Sequence, residues 1–385
     1  MRPNILRGNF KRYAIATFLA TAALASFGPG GASAAVMGTL VTWGASFVDN
    51  PPAGNNYVAV SSGGNVDLAL TSTGTIACWG LNTDNEVSDV PTGSGYTAIS
   101  SGAYADLALA ANGTIVGWGD NSYGEINVPS GTGYLAVAEG GFDGFAITAN
   151  HEMVGWGNND LGELNYPALT DYMQVSAGYQ WACALTSSGT IVAWGTNTAG
   201  ETNVPSGSDY VAVSAGVTGG LALTSSGTVV SWGDTGGSIP SGTGYQAVSS
   251  GQFWNLFINP DGTLSASGTN SFGEVSDLPT GNNFVAIAAG YNQGVAIEVP
   301  EPMTAGLMIS AMAAFVFAYR PRRNGSASRE MRRLVRIRPE LELDNSGMET
   351  RTNIRKSRSN PGFLVRLFRC FCEVFELWPR TRGIW

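Results

Sequence analysis

Residues 115–131 read IVGWGDNSYGEINVPSG, and residues 191–207 read IVAWGTNTAGETNVPSG. The two segments are nearly the same, and their shared Trp-Gly pair marks a longer series. That pair recurs every 35 to 39 residues, at Trp43, Trp79, Trp118, Trp156, Trp194 and Trp232, with Ser267-Gly268 in the seventh place. A period of this size is typical of chains built from supersecondary repeats. The fold therefore depends on the unit and on how the units join.

Each unit has the pattern of three short strands. An aromatic residue opens the unit, and a Gly lies six residues later in all seven units: Gly63, Gly102, Gly140, Gly178, Gly216, Gly251 and Gly290. Alternating segments such as YVAV and LALTS have strand character, as does the Trp-Gly segment. A Gly five residues before the pair, replaced once by His151, suits a hairpin turn. Short strands with one turn per unit indicate a β-propeller or a β-solenoid.

The two ends of the repeat region distinguish these folds. The unit around Trp43 lacks its first half, and the last unit, residues 284–298, lacks its Trp-Gly half. A solenoid needs a polar cap at each end, whereas a closed ring joins the halves and removes the sheet edges. We therefore predict an all-β, seven-bladed β-propeller over residues 36–298, closed by a composite N/C-terminal blade.

The repeat also resembles a known family. The segment ALTSSGTIVAWGTNTAGE (184–201) resembles the regulator-of-chromosome-condensation repeat, and the period near 38 resembles its short bacterial form, found in secreted β-lactamase inhibitor proteins. The resemblance covers all seven units and implies a seven-bladed propeller, but propellers host many functions. The eukaryotic-type repeat has His three residues after the invariant Gly. Here those positions hold Val66, Ala105, Asp143, Trp181, Gly219, Trp254 and Gln293, so the chromatin and nucleotide-exchange roles are not implied.

Charge divides the 385-residue chain. The 20 Lys and Arg residues all lie outside residues 13–319, whereas residues 36–302 hold 22 of the 29 acids. A domain of this charge is repelled by phosphate backbones, so we expect no nucleic-acid partner.

Both termini contain targeting patterns. Arg2, Arg7, Lys11 and Arg12 precede the apolar run YAIATFLATAALASF, and Ala32-Ser33-Ala34 suits cleavage, which predicts a secretory signal peptide over residues 1–35. Near the other end, Val299-Pro300-Glu301-Pro302 precedes an uncharged 17-residue run, 303–319, and then Arg320, Arg322 and Arg323. The run is long enough for a short transmembrane helix with its C-terminal side in the cytoplasm.

This trio over residues 299–323 resembles the PEP-CTERM sorting signal. The resemblance implies recognition by an exosortase-type membrane protease, cleavage near the motif, and export to the cell envelope or extracellular matrix. Such signals normally end the protein, whereas a basic tail, residues 324–385, follows here. We interpret the tail as disordered or as an artefact of the gene model, and its segment 362–378 alternatively as an amphipathic membrane-surface helix.

Residues that recur in every unit build the blade, so residues that differ are free for function. The loops after the invariant Gly carry Tyr104, Phe142, Tyr179, Trp181, Phe253, Trp254 and Tyr291, together with Asp67, Asp106 and Asp143. Aromatic side chains of this kind are typical of binding surfaces. We predict that they form a ligand-binding face for an extracellular protein or polysaccharide. The alternative is that some fold inward as core residues. In the inhibitor proteins that the repeat resembles, aromatic loops on one face make the contact.

Catalysis has little support in the sequence. His151 is the single His and occupies a turn, and the repeat region contains no Lys or Arg to activate a nucleophile. We therefore predict an exported, envelope-associated, acidic binding module that is not an enzyme. One alternative is a carbohydrate-active enzyme that uses Asp106 and Asp143 as paired carboxylates, and another is a passive matrix component. We predict no metal or cofactor, since DNSYGE and NNDLGE do not match a calcium loop, although the charge allows weak surface Ca²⁺ binding.

Overall fold

The computed structural model describes residues 36–45 and 50–300. The predicted signal peptide, most of the sorting signal with its transmembrane helix 303–319 and Arg320, Arg322 and Arg323, and the tail lie outside the described residues. Within the described ranges, no helix is long and apolar enough to cross a membrane.

All regular secondary structure in the described part of the chain is β-strand. In chain order the strands are β1 (Thr39–Gly44), β2 (Tyr57–Ser62), β3 (Val66–Thr71), β4 (Ile76–Gly80), β5 (Tyr96–Ser101), β6 (Ala105–Ala110), β7 (Ile115–Gly119), β8 (Ala136–Glu139), β9 (Asp143–Ile147), β10 (Met153–Gly157), β11 (Tyr172–Ala177), β12 (Trp181–Thr186), β13 (Ile191–Gly195), β14 (Tyr210–Ala215), β15 (Gly219–Thr224), β16 (Val229–Gly233), β17 (Ala247–Ser250), β18 (Trp254–Ile258), β19 (Leu264–Gly268), β20 (Phe284–Ala289) and β21 (Gln293–Glu298).

The strands form seven three-stranded antiparallel sheets. Blades 1 to 6 are β2–β4, β5–β7, β8–β10, β11–β13, β14–β16 and β17–β19, and blade 7 has the order β1-β21-β20. In blade 7, Thr39 pairs with Glu298 and Gly44 with Gln293. The prediction that the two half-units join into one sheet is therefore confirmed, as are the all-β class and the seven sheets.

Neighbouring blades pack face to face through apolar side chains. One core cluster combines Val66 of blade 1 with Ile99 and Trp118 of blade 2. Another combines Tyr57 of blade 1 with Val295 of blade 7. Each pair of adjacent blades buries large apolar side chains in this way, and this burial is the main stabilising term of the ring.

Hydrogen bonds link the inner ends of the blades around the ring. The amide after an invariant Gly donates to the carbonyl of the invariant Gly in the next blade. Examples are Gly64 to Gly102, Ala103 to Gly140 and Gly141 to Gly178, and Tyr291 to Gly63 closes the circle, with N···O distances of 2.9, 3.0, 2.9 and 3.0 Å. The invariant Gly thus serves blade-to-blade contact, and this contact arranges the seven loops that follow it in a ring.

The other repeated residues also have structural roles. The indole of Trp118 donates to the carbonyl of Glu86 at 2.8 Å, and the indole of Trp232 donates to the carbonyl of Glu201 at 2.7 Å. Each of these Glu residues lies in the loop that follows the third strand of the preceding blade, so the bond joins that loop to the blade of the Trp. The Glu125 carboxylate accepts the amide of Tyr123 at 2.9 Å, within its own loop. The repeated Trp and Glu residues therefore join and shape the blades, as their recurrence predicts.

Candidate interaction face

Two sets of loops meet at one end of the ring, which we call the loop face. The inner loops join the first and second strands of each blade, at 64–65, 103–104, 141–142, 179–180, 217–218, 252–253 and 291–292. The outer loops follow the third strands, at 81–86, 120–125, 158–163, 196–201, 234–237 and 269–274. Backbone bonds hold the two sets together, since the Asp120 amide donates to the Tyr104 carbonyl and the Asn158 amide to the Phe142 carbonyl, both at 2.9 Å.

Four aromatic rings from blades 2 to 4 touch one another on this face, and we call them the aromatic cluster: Tyr104, Tyr123, Phe142 and Tyr179. The Phe142 ring lies at the centre, with ring-centroid distances of 5.4 Å to Tyr104, 5.0 Å to Tyr123 and 5.1 Å to Tyr179. Tyr123 is 53% exposed, and the other three are half-buried. Burial, followed by interaction with Tyr104, raises the pKa of Tyr179. The structure thus brings together three of the predicted aromatic residues and adds Tyr123.

Two predicted site residues, Trp181 and Trp254, do not reach the loop face. They are 1% and 0% exposed. Their indoles donate to the carbonyls of Gly216 and Gly290 in the next blade, at 3.0 and 2.9 Å. Each is the first residue of a second strand rather than part of a loop, and its side chain packs between blades. For these two residues the alternative of inward-folding core side chains is the one that the structure shows.

The remaining predicted aromatic residues take intermediate positions. Phe253 is half-buried with a φ of 63°, a left-handed conformation that few non-Gly residues adopt. Tyr291 is half-buried and lines the central cavity with Tyr179, and burial raises the pKa of Tyr291.

The predicted carboxylates are buried, so the expectation that they contact ligand on the surface is wrong. Asp67, Asp106 and Asp143 are 0%, 1% and 0% exposed. Asp67 accepts a 2.6 Å hydrogen bond from the Ser62 hydroxyl. Asp106 faces Glu86, whereas Asp143 faces Glu163 and Glu125. A glycosidic bond has no access to carboxyls this deeply buried, and the paired-carboxylate alternative therefore has no observation in its favour.

A further buried carboxyl, Glu139, was missed by the sequence reasoning. It is the last residue of β8, in the place held by Ser62, Ser101, Ala177, Ala215, Ser250 and Ala289 in the other blades. Both of its carboxyl oxygens lack a hydrogen-bond partner among the described residues. A Cβ at Gly144 would lie 2.7 Å from Glu139 Oε2, so this Gly leaves the room that Glu139 occupies. The signal was an acidic residue at an otherwise small position of the repeat.

The central cavity is too small for a macromolecular ligand. Its volume is about 60 Å³, and its lining includes Glu139, Tyr179, Tyr291 and the invariant Gly residues. That volume holds only about four to six waters, at roughly 10–15 Å³ each. A large ligand therefore cannot enter this cavity. Among residues 36–45 and 50–300, no group of three or more His, Cys, Asp or Glu side chains is arranged to hold a metal ion.

His151 occupies the predicted turn position in blade 3. It is half-buried, has a φ of 60°, and its Nδ1 lies 2.9 Å from the Tyr172 carbonyl oxygen. The imidazole is thus used within the turn, at the opposite end of the blade from the loop face.

Comparison with known proteins identifies the repeat and the fold. The family model described as Regulator of chromosome condensation (RCC1) repeat matches residues 96–125 and 174–201. Prp20p from Saccharomyces cerevisiae has a similar structure, with a TM-score of 0.59, 15% sequence identity, and coverage of 73% of this chain and 96% of that one. Human WBSCR16 has a TM-score of 0.56 and 17% sequence identity, with coverage of 69% of this chain and 100% of that one. The CRINKLY WD40 ectodomain of the Arabidopsis thaliana receptor kinase ACR4 has a TM-score of 0.54 and 18% sequence identity, with coverage of 65% of this chain and 96% of that one.

No curated protein sequence matches the chain. At these identities the structural likeness concerns the fold alone. The repeat match and the seven sheets lead to one conclusion: the chain carries RCC1-type repeats and resembles the RCC1-like β-propellers.

Proposed function

We propose that this protein is an exported, envelope-associated interaction module that binds a macromolecule across its loop face without catalysis. The observation that carries the proposal is the aromatic cluster, in which three consecutive blades and one outer loop bring four rings into contact. Aromatic side chains that are packed together and partly exposed supply large contact areas at low entropic cost, and they dominate binding energy at interfaces.

Exposed apolar side chains support the same face. Leu81, Tyr123, Leu161 and Phe272 are 40%, 53%, 52% and 53% exposed, and all four lie in outer loops. These four side chains add apolar contact area to the loop face. Five further large apolar side chains are exposed elsewhere: Val36, Met37, Leu135, Met173 and Val211. The lack of Lys and Arg in residues 13–319 argues against nucleic acid as the ligand.

The ligand is a protein or a glycan, and the structural neighbours favour a protein. Prp20p has binding properties to Gsp1p and histones, and yeast RCC1 (Prp20) has also been solved bound to Kap60. Those partners belong to those proteins, and they support only the general mode of protein binding by a propeller of this repeat type.

Loss of the cluster should abolish ligand capture. We expect the double variant Tyr123→Ala with Phe142→Ala to bind an envelope extract or a glycan array at least about 10-fold more weakly than the natural protein, since clustered aromatic residues are binding hot spots. Phe272→Ala is the matched control, because Phe272 is as exposed as Tyr123 and occupies the same outer-loop position outside the cluster. Equal binding by all three proteins would contradict the proposal.

Export rests on the terminal segments. We propose that residues 1–35 direct secretion, that helix 303–319 anchors the protein, and that an exosortase-type protease cleaves near Val299–Pro302. β21 ends at Glu298, and the Val299 amide still donates to the Asn283 carbonyl at 3.0 Å. The sorting motif therefore begins directly after the last strand, and cleavage within it leaves all seven blades complete.

Intact mass measurement of the exported protein tests this processing. We expect a mature chain that begins near Val36 and ends within the motif. A mature mass that includes residues 303–385 would show that the sorting signal is not processed.

A further inference from the structure

Surface carboxylates accompany the aromatic cluster. Asp120 and Asp160 lie in the outer loops of blades 2 and 3, which carry three rings of the cluster, and Asp84 lies in the outer loop of blade 1. The outer loops of blades 4 and 6, residues 196–201 and 269–274, contain no acid apart from the repeated Glu, which is buried. Asp234 of blade 5 is the remaining outer-loop Asp in the described ranges. Two of the four outer-loop Asp residues, Asp120 and Asp160, therefore lie in blades that carry the aromatic rings.

Local hydrogen bonds fix the Asp120 carboxylate and the backbone at Asp160, both in outer loops that bond to loops of the cluster. Asp120 follows the strand end that bonds to Tyr104, and its Oδ1 accepts the Asn121 and Ser122 amides at 2.8 and 3.1 Å and the Ser122 hydroxyl at 2.7 Å. Asp160 lies two residues after Asn158, whose amide donates to the Phe142 carbonyl. Its own amide donates to Asn158 Oδ1 at 2.7 Å. Each acid thus belongs to an outer loop bonded to a loop of the cluster.

The domain cannot neutralise these charges itself. No Lys or Arg occurs between residues 13 and 319, and the His151 imidazole contacts the Tyr172 carbonyl at the other end of its blade. Any positive charge on this face must therefore come from outside residues 13–319.

We propose that the loop face binds an Arg-bearing segment of a partner protein, with a guanidinium stacked on the aromatic cluster and paired with Asp120 or Asp160. This inference rests on the proposed function and specifies the partner of the same face. A cation over an aromatic ring is attracted by the ring's negative face. Among cationic side chains, Arg both stacks on aromatic rings and binds a carboxylate through two parallel hydrogen bonds. The exposed side chain of Leu161 lies next to Asp160 and can cover the aliphatic part of such a residue.

The same arrangement selects against other ligands. An acidic polysaccharide meets like charge at Asp120 and Asp160 and is repelled. A neutral glycan can stack on the rings but gains nothing from the carboxylates. Partner charge therefore separates this inference from the broader proposal of a binding face.

Calorimetric titration of the folded domain with short peptides tests the inference. The probes are an alternating Arg-Gly peptide, the same peptide with Lys, and the same peptide with Glu. We expect the Arg peptide to bind most tightly, the Lys peptide about 3- to 10-fold more weakly, and the Glu peptide not at all. Binding of the Arg peptide should weaken steeply between low salt and about 0.5 M NaCl, because exposed charge pairs are screened.

Matched variants locate the site. Asp120→Asn with Asp160→Asn should weaken Arg-peptide binding about 3- to 30-fold, as expected for the loss of two exposed ion pairs. Asp209→Asn with Asp261→Asn removes the same net charge from exposed positions at the opposite end of the ring and should leave binding unchanged. Asn retains the acceptor oxygen at each position, so the turns are preserved.

The outcomes separate this inference from the proposed function. Equal effects of the two double variants would show that net charge alone attracts the peptide, and would overturn the inference. A different outcome is that the natural protein binds a neutral glycan or an acidic protein but not the Arg peptide, and that Phe142→Ala abolishes this binding. That result would leave the proposed function standing and reject a cationic partner. No binding of any probe or extract component would reject both.

Discussion

The propeller is expected to lose stability as the pH rises from about 4 to about 8, with denaturation midpoints that fall over that range. The cause is a set of buried carboxyls in blades 1 to 3, namely Asp67, Asp106, Glu139 and Asp143. Burial raises the pKa of Asp67 to about 7 and that of Asp106 to about 8. It also raises the pKa values of Glu139 and Asp143 well above their usual range.

The neighbours of these carboxyls mostly reinforce the effect of burial. The Ser62 and Ser101 hydroxyls favour the ionised forms of Asp67 and Asp106, and Gln293 also favours ionised Asp67. Against this, the other charged groups that face three of these carboxyls are acidic. Glu86 faces Asp106. Glu139 is faced by Asp143, Asp106 and Glu125, and Asp143 is faced by Glu163 and Glu125. Since residues 13–319 contain no Lys or Arg, no side chain of the domain can offset a charge there.

The direction of the pH dependence follows from proton linkage. Between the unfolded pKa near 4 and the raised folded pKa, the folded state binds more protons than the unfolded state, so the free energy of unfolding falls as the pH rises. The stabilisation is complete below about pH 4 and is lost as the pH rises through about 7 for Asp67 and about 8 for Asp106. Each pKa unit corresponds to about 1.4 kcal/mol, so the total change is on the order of several kcal/mol.

The variant Asp106→Asn should raise stability at pH 8 and flatten the pH profile. Blade 6 already carries Asn255 at the equivalent position, where its Nδ2 donates to the Thr235 carbonyl at 3.0 Å and its Oδ1 accepts from Ser250 at 3.4 Å. In blade 2 the new amide would face Glu86, so a repulsion becomes an attraction. Guanidinium titrations between about pH 4 and pH 8, at constant ionic strength, measure both effects.

Asp261→Asn is the control, because Asp261 is exposed and hydrogen bonds to Thr263 lower its pKa. Its substitution should not flatten the fall in stability between pH 5 and 8. If the natural domain instead gains stability over that interval, the buried carboxyls are ionised in the folded state. Their negative charge would then have to be stabilised by groups other than the side chains of the domain. Asp106→Asn would then destabilise the domain at pH 8.

The closure of the ring could be predicted from the sequence because it depends on repetition. Seven copies of one pattern average out the ambiguity of any single strand, and the two incomplete copies complement each other. The pairing of β1 with β21, from Thr39 with Glu298 to Gly44 with Gln293, is the register that the joined half-units require.

The orientation of individual side chains could not be predicted in the same way, because side chains alternate across a strand and a one-residue error reverses the face. The repeat pattern places Trp181 and Trp254 in four-residue loops, but β12 and β18 begin at these residues. After the invariant Gly, the loops are therefore only two residues long. The side chain at the third position after that Gly points between blades. Tyr104, Phe142 and Tyr179 lie within the two-residue loops and reach the loop face.

Tyr123 and Glu139 show what position-by-position comparison of the repeats adds. Tyr123 lies in a segment that recurrence marks as structural, yet the corresponding residues are Asp84 and Ala199 in other blades. Glu139 is acidic where the other blades have Ser or Ala. Both differences could be read from the sequence. The contacts of Tyr123 with Phe142 depend on how the outer loop of blade 2 lies against blade 3, which the sequence does not specify.

Replacing an invariant Gly should be among the most damaging single substitutions in the domain. We expect Gly102→Ala to lower the free energy of unfolding by about 3 kcal/mol, the upper part of the usual range for overpacking. A Cβ at Gly102 would lie 2.6 Å from Glu139 Cγ and 2.9 Å from the Ala105 carbonyl oxygen, and it would also meet the Gly140 carbonyl oxygen. Real Cβ atoms essentially never approach other heavy atoms this closely.

The neighbours cannot yield without opening the ring. The Gly140 carbonyl accepts the Ala103 amide at 3.0 Å, one of the bonds that join blade 2 to blade 3. The Ala105 carbonyl accepts the Gly102 amide at 2.9 Å within the blade. Relief of the clash therefore separates two blades or breaks the inner hairpin. The same argument explains why the Gly recurs in all seven units, although a turn alone would also admit Asn or Asp.

Gly117→Ala is the matched control in the same blade. The equivalent position is Cys78, Ala193, Ser231 or Ala266 in other blades, so the fold accommodates a Cβ there. The nearest atoms to the new Cβ are side-chain carbons of Ile126 and Leu107 at 3.1 to 3.2 Å, which can shift by a few tenths of an ångström. We expect a change of less than about 1 kcal/mol, within the range of ordinary substitutions. Equal denaturation midpoints for the two Ala variants would mean that the blades do not approach each other through the invariant Gly, because only Gly102 lies at the contact between blades.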